Sequence, residues 1–330
     1  MEASNGPLGA APPSWAESMS SMRITVISGG PAGSRLVRGL VDQPGDPTPA
    51  PEVTVIANTG DDISLWGLRI SPEIDGLLAD LSPDDPGTAG AAPSLVTDEL
   101  HALGVQPQWY PVTDREIGTH LARTAWLGQG ATPSEVTQRL AERRGLPAKG
   151  VRLLPMSDVP VETHVVLDEQ EEQRAVHVQQ WRHELGSPAA TRFVVAGMDR
   201  AAAAPGVLDA IREADVVVLP GGDPVLSIGI VLGVPGVRDA LRGTSAKIVG
   251  ITPDLTDLGP SLAAVGIDPT ASGVAGLYRD LRVTWLPTDA SPPTSSPTPD
   301  APAGRLRSAS AGASAGTVGG PGGDGGRPWR

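Results

Sequence analysis

Two adjacent carboxylates, Asp61 and Asp62, end the segment Ala57-Asn58-Thr59-Gly60-Asp61-Asp62, which follows a β-branched run. Neighbouring carboxylates beside an amide suit a hard cation, which takes oxygen ligands; a surface turn with a helix cap uses the same residue types, and both readings stand. Two glycine-rich segments offer the complementary property. Ser28-Gly-Gly-Pro-Ala-Gly33, with Gly29 and Gly30 at its start, follows the first apolar run. Leu219-Pro220-Gly221-Gly222-Asp223-Pro224, continuing to Ser227 and Gly229, follows a later one. Glycines at a strand-to-helix turn let backbone amides approach an anion, and Arg35 adds a guanidinium. Neither segment is a clean dinucleotide fingerprint or a phosphate loop with its lysine, so a plain tight turn is the alternative. Asp75 follows Ser71-Pro72 near a helix start, where an acid also serves as a first-turn charge. Asp114, Arg115 and His120 form a polar cluster on one helix, with an ordinary cap and ion pair as the alternative. His164 and His177 read as packed histidines, and no Ser-His-Asp or metal-histidine spacing stands out.

These residues need a scaffold, and the chain has material for one. Its 330 residues are 39% hydrophobic and 19% charged, which is too apolar for a wholly disordered chain. The longest apolar runs are strand-sized, so no membrane span is expected, and the first twenty residues lack a signal-peptide pattern; the expected location is cytoplasmic. With no Cys, disulfides, thiolate nucleophiles and thiolate metal sites are excluded. Lys plus Arg number 25 against 38 Asp plus Glu, for a net charge of −13, which argues against a nucleic-acid partner. Lys149 and Lys247 are the only lysines, so anion handling falls to arginine and backbone amides.

Met22 to Ser28 reads as a strand, Pro31 to Leu40 as a helix and Glu52 to Ala57 as a second strand. The pattern returns with helix Val207 to Ala214, strand Asp215 to Leu219, helix Val237 to Leu241 and strand Lys247 to Thr252. Continuous apolar strands with helices between them predict an α/β fold: a Rossmann-like three-layer sandwich with a mostly parallel sheet. Residues Glu116 to Arg144 have helical spacing and Thr163 to Val178 alternates like antiparallel strands, so a helical and β insert is placed at about 95–190. It is expected over the carboxyl ends of the strands, where open α/β sheets bind ligands. Residues 1–21 read as a flexible extension, 22–288 as the folded domain and 289–330 as a disordered Ser/Pro/Gly-rich tail.

Taken in order, these motifs resemble the 2-phospho-L-lactate transferases of coenzyme F420 biosynthesis, including members that handle the phosphoenolpyruvyl version. The resemblance rests on Ile24 to Gly30, Asn58 to Asp62, Trp66 to Pro72 with Asp75, and Thr113 to His120. It continues through Val151 to Asp158, Glu162 to His164, His177 to Gln179, Pro205 to Ile211, Pro224 to Gly229 and Val234 to Arg238. It implies a Mg2+-dependent transfer from a guanosine diphosphate-linked lactate or enolpyruvate to the ribityl hydroxyl of the deazaflavin FO, releasing GMP. By that resemblance Asp61 and Asp62 hold the metal or orient the hydroxyl. Gly29, Gly30 and Gly33 cradle phosphate, and Ser227 and Gly229 line the second half of the anion site. Asn58, Asp75, Asp114, Arg115 and His120 match motif positions in the substrate site, and the resemblance suggests a homodimer.

The chain also departs from the family pattern. Pro31 and Ala32 stand in the first glycine loop, and Pro31 has no amide hydrogen to offer an anion. Gly221-Gly222-Asp223-Pro224 replaces a Pro-Ser-Asn-Pro loop and brings a carboxylate that repels phosphate unless metal-bound. Asp80 to Ser94 replaces a Trp-rich stretch, and Asp254 to Gly259 shortens a basic loop. These departures leave one alternative function: a catalytically impaired paralogue that binds a deazaflavin or nucleotide as a regulatory protein.

Overall fold

The computed structural model describes residues 22–27, 30–42, 50–82, 94–169 and 172–288. The expected N-terminal extension and C-terminal tail, Ser28 and Gly29, and most of the 80–94 replacement lie outside them. The chain opens with β1 (Arg23–Ile27), α1 (Gly30–Val41) and β2 (Glu52–Ala57). A hairpin of β3 (Ile63–Leu65) and β4 (Leu68–Ile70) precedes the helices α2 (Pro72–Leu81), α3 (Leu95–Ala102), α4 (Asp114–Gly128) and α5 (Pro133–Arg143). Then come β5 (Val151–Pro155), β6 (Glu162–Glu169), β7 (Glu172–His177), α6 (Val178–His183) and β8 (Arg192–Ala196). The remainder is α7 (Val207–Arg212), β9 (Val216–Leu219), α8 (Ile228–Gly233), α9 (Val237–Gly243), β10 (Lys247–Ile251), α10 (Gly259–Ala264), α11 (Ala271–Gly276) and β11 (Thr284–Leu286).

Six strands form one sheet in the order β11-β10-β9-β1-β2-β5, and every neighbouring pair is parallel. Alternation along the apolar strands feeds both faces. Val216 and Val218 pack with Val26, Val55 and the helix residues Leu40, Leu77 and Leu140 on one side. Val217 and Leu219 pack with Ile27, Ile56, Ile211 and Val231 on the other. That two-faced burial is why these strands read as unbroken hydrophobic runs, and it produces the expected α/β sandwich. The expected insert at about 95–190 is not a separate body: β5, within those bounds, is an edge strand of the main sheet, and the antiparallel sheet β7-β6-β8 runs beyond them to Ala196, with Val165, Leu167 and Val176 joining the second face. α4 and α5 are each opened by a capping box, from Thr113 with Glu116 and from Thr132 with Glu135.

The chain runs outward from β1 to β2 and β5, then returns to β9 on the other side of β1 and continues outward to β10 and β11. β1 and β9 therefore flank the point where strand order reverses, and the loops leaving their carboxyl ends part to form a crevice.

Candidate active site

A cleft of about 880 Å³ opens there. Its walls come from the start of α1 (Gly30, Pro31, Ser34), the loop after β2 (Asp61) and α2 (Glu73, Asp75). The 110–120 segment (Tyr110, Thr113, Glu116, His120), α6 (Gln179, Arg182, His183) and the loop after β9 (Asp223, Ser227) complete them.

Asn58 organises the floor. It is fully buried, and its amide Oδ1 accepts from Gly60 N at 2.7 Å, a local turn that bends the chain sharply after β2. Its Nδ2 donates to Asp61 Oδ1 at 3.2 Å and to the Leu226 carbonyl at 3.3 Å, which ties this loop to the one after β9. Glu73, in the first turn of α2, makes the same link from the other side. One oxygen accepts from Asn58 N at 2.9 Å and the other from Ser227 Oγ at 2.7 Å. A carboxylate at that position also favours the helix N-terminus. Gly60 has no room for a side chain, because a Cβ would lie 2.6 Å from Ile230.

The acidic pair divides. Asp61 turns its second oxygen to the cleft, where Arg182 donates at 2.6 Å and Gln179 at 3.4 Å. Asp62 turns away to Ser71 Oγ at 2.8 Å and to Arg69 at 3.6 Å, and its other oxygen is buried with no partner. Burial pushes the Asp62 pKa up to about 7, although Arg69 and Arg123 pull it down. His177 faces the same loop. Its Nδ1 accepts from Gln179 N at 3.1 Å, so the ring carries its hydrogen on Nε2, 3.2 Å from the Asp62 carbonyl. His164 sits opposite it across the strand pair, with ring centroids 5.6 Å apart.

At the other end of the cleft Asp75 forms a buried pair with Arg123, both terminal guanidinium nitrogens reaching its carboxylate. His120 Nδ1 lies 3.5 Å from Asp75. Burial keeps the His120 pKa below its ordinary value despite that carboxylate, so the ring is neutral at neutral pH. Tyr110 packs edge-on to Trp109 and to His183, forming an aromatic wall.

Asp61, Asp75, His120, Ser227 and Gly30 thus share one cleft. Gly33 and Asn58 are buried behind it, and Gly29 lies outside the described residues. Gly229 serves packing, since a Cβ would lie 2.8 Å from the Pro224 carbonyl. Asp114 is exposed and accepts from Ser94 Oγ at 2.9 Å and Val96 N at 3.1 Å, capping the start of α3; Arg115 is exposed as well. Glu73, Tyr110, Gln179, Arg182 and His183 are cleft residues that sequence reasoning did not assign. The available signal was electrostatic: buried carboxylates need a cation, and α6 directly follows the alternating strands. Asp223 is held differently from the repelling carboxylate expected from sequence. Its Oδ1 accepts from Val225 N at 2.8 Å and Leu226 N at 2.9 Å, while Oδ2 faces Arg182 at 3.9 Å.

The electrostatics of the cleft are lopsided. Asp61, Glu73, Asp75, Asp80, Asp98, Glu116 and Asp223 line it, and among the described lining residues Arg182 is the only Lys or Arg. No cluster of three His, Cys, Asp or Glu that would hold a metal occurs among the described residues. Asp61 and Asp223 nonetheless approach the two terminal nitrogens of one guanidinium from two loops, at 2.6 and 3.9 Å, so two hard oxygen donors lie on the same side of the cleft. Mg2+ is characteristically held by one or two carboxylates together with substrate phosphates, and the donor set fits that pattern.

An open parallel α/β sheet with an acid-lined crevice at its switch point defines a small-molecule binding protein of the doubly wound class. The chain belongs to the 2-phospho-L-lactate transferase CofD family, which it matches over residues 24–276. It is 41% identical over 286 residues to the phosphoenolpyruvate transferase of Thermobifida fusca, covering 82% of this chain and 87% of that one. It is 40% identical over 277 residues to that of Streptomyces coelicolor, covering 80% and 85%. A solved structure from Bacillus halodurans, a member of the UPF0052 family, has a similar fold, with a TM-score of 0.52 and 18% identity over 79% of this chain and 77% of that one. No helix among the described residues is long and apolar enough to cross a membrane.

Proposed function

We propose that this transferase moves a phosphoenolpyruvyl group from a guanosine diphosphate-linked donor to the terminal ribityl hydroxyl of the deazaflavin FO. The observation that carries the reading is the seating of Asp61, Glu73, Asp223 and Ser227 around one cleft, cross-linked by Asn58 and closed by the Arg182 guanidinium. The names of the relatives favour enolpyruvate over lactate as the group carried. In the transfer, the hydroxyl oxygen forms a bond to the phosphorus that bears the enolpyruvyl group. The bridging P–O bond breaks, GMP leaves with the bridging oxygen, and the hydroxyl proton passes to a carboxylate of the cleft wall. Such a reaction needs in-line positioning and charge neutralisation more than a covalent nucleophile. Asp61 and Asp223 would hold Mg2+, which neutralises charge on the phosphates when bound. Ser227 and the amides at the start of α1 face the donor, and the Tyr110–His183 wall offers apolar surface to a planar acceptor.

Asp61→Asn tests the assignment. The variant keeps one acceptor oxygen for Arg182 but loses the metal-binding charge. GMP release with saturating FO and Mg2+ is expected to fall by about a hundredfold or more, by analogy with loss of a charge-assisted contact at the transition state. Undiminished Mg2+-dependent release would remove Asp61 from the mechanism. A second reading, a non-catalytic deazaflavin- or nucleotide-binding paralogue, draws on Pro31, which lines the cleft without an amide hydrogen. FO binding without GMP release by the native chain would favour it.

A further inference from the structure

We infer that Arg182 competes with a divalent cation for Asp61 and Asp223, and that the binding of the cation frees its guanidinium for the donor's phosphate. The inference rests on the phosphate-donor reading above and adds a role for a residue that reading leaves undefined. Three observations support it. Arg182 reaches the carboxylates of two separate loops, at 2.6 Å to Asp61 and 3.9 Å to Asp223. These are the two carboxylates to which the proposed function gives the metal. The side chain is 30% exposed and lines the cleft, so it has room to move, whereas the neighbouring Trp181 is buried and fixes the helix below it. Asp61 and Asp223 also keep their places without it. Asp61 retains Asn58 and Gln179, and Asp223 retains the Val225 and Leu226 amides.

Electrostatics sets the direction of the exchange. A divalent ion beside two carboxylates gains about twice the Coulomb attraction of a guanidinium at the same distance, and the two cations repel each other if both remain. The released guanidinium is then, among the described lining residues, the one arginine of an acid-lined cleft into which a diphosphate must enter. Its planar fork matches two phosphate oxygens, a geometry that lysine lacks. One residue thereby makes the carboxylates tolerable when the metal is absent and the phosphate tolerable when the metal is present.

The exchange predicts opposite effects on metal and donor. Mn2+ binding to the protein without donor, followed by the electron paramagnetic resonance of free Mn2+, is expected to be about tenfold tighter in Arg182→Gln than in the native chain. KM for the guanosine diphosphate-linked donor in GMP release is expected to rise about ten- to a hundredfold in the same variant. Arg182→Lys, which keeps the charge and loses the fork, should bind Mn2+ as the native chain does and show an intermediate KM. Equal or weaker Mn2+ binding by a folded Arg182→Gln overturns the competition, whatever the activity. Tighter Mn2+ binding with an unchanged KM overturns the second half, the transfer of Arg182 to phosphate. Native protein that releases no GMP, with Mn2+ tightened in the variant, overturns the proposed function and leaves the competition intact.

Discussion

Asp62 shows how two adjacent carboxylates can face different surroundings. It stands beside Asp61 in the sequence, yet its carboxylate lies on Ser71 and Arg69, with one oxygen buried and unpartnered. Burial raises its pKa to about 7 from an ordinary value of 3.8. A folded-state pKa above the unfolded one means that the folded chain holds the extra proton between those two values. Stability from this group is then greatest below the unfolded value, falls as pH rises from about 4 to 7, and is flat above. Asp62→Asn removes the charge and leaves an amide in its place. In the presence of a chelator, urea unfolding is expected to find the variant more stable than the native chain by about 1–3 kcal/mol at pH 8, with the difference vanishing near pH 4. A pH-independent difference would mean that Asp62 does not titrate in that window. Asp75 is the contrasting case. Its charge is satisfied by buried Arg123, and breaking such a pair leaves an uncompensated ion, so it reads as a structural support at the cleft wall.

The elements differ in how far the sequence reveals them. β9 is legible because its apolar residues Val216 to Leu219, buried on both faces, leave nothing polar to break the run. The antiparallel pair β6 and β7 departs from the alternation expected of it: Glu172 to Ala175 are all exposed, and in β7 only Val176 is buried. The turn Asn58 to Asp62 is legible as a candidate site because it sits at a strand's carboxyl end. Arg182 is not, because its partner Asp61 lies 121 residues away and only the packing of β6, β7 and α6 brings them together. Glu73 is hidden likewise, 154 residues from Ser227. α6 delivers both Gln179 and Arg182 although it is only six residues long, too short to stand by propensity alone. Trp181 supplies the anchor. It is 3% exposed, donates its ring N–H to the Pro188 carbonyl at 3.0 Å and packs edge-on to Phe193. Trp181→Ala is expected to cost about 3–5 kcal/mol in urea unfolding and to abolish GMP release, because α6 loses its seat. Trp181→Phe keeps the ring contact but loses the hydrogen bond. About 1 kcal/mol attaches to that bond, and most activity should survive. Full activity in a destabilised alanine variant would show that α6 does not position the cleft.

At the scale of the whole molecule, charge and topology pull in opposite directions. The parallel sheet aims its strand ends and α1 at the crevice, an arrangement suited to anions, yet the chain carries a net charge of −13 and lines the crevice with carboxylates. A diphosphate approaching such a cleft is repelled unless a divalent cation accompanies it. The sign of the salt effect therefore depends on the metal. Without Mg2+ the net interaction is repulsive, and added salt screens it, so affinity for GDP, taken as a donor mimic, should rise as NaCl goes from about 0.02 to 0.3 M, over which the Debye length shrinks from roughly 20 to 6 Å. With saturating Mg2+ the binding is carried by cation–phosphate attraction, and the same salt should weaken it. Mg2+ itself should tighten GDP at least tenfold at low salt, the effect of about 1.4 kcal/mol. Titration calorimetry of GDP across this salt range, with Mg2+ or with a chelator, reads all three. If the chelated protein binds GDP more weakly as salt rises, the cleft attracts anions by its own residues, and the carboxylate wall is not what makes the metal necessary.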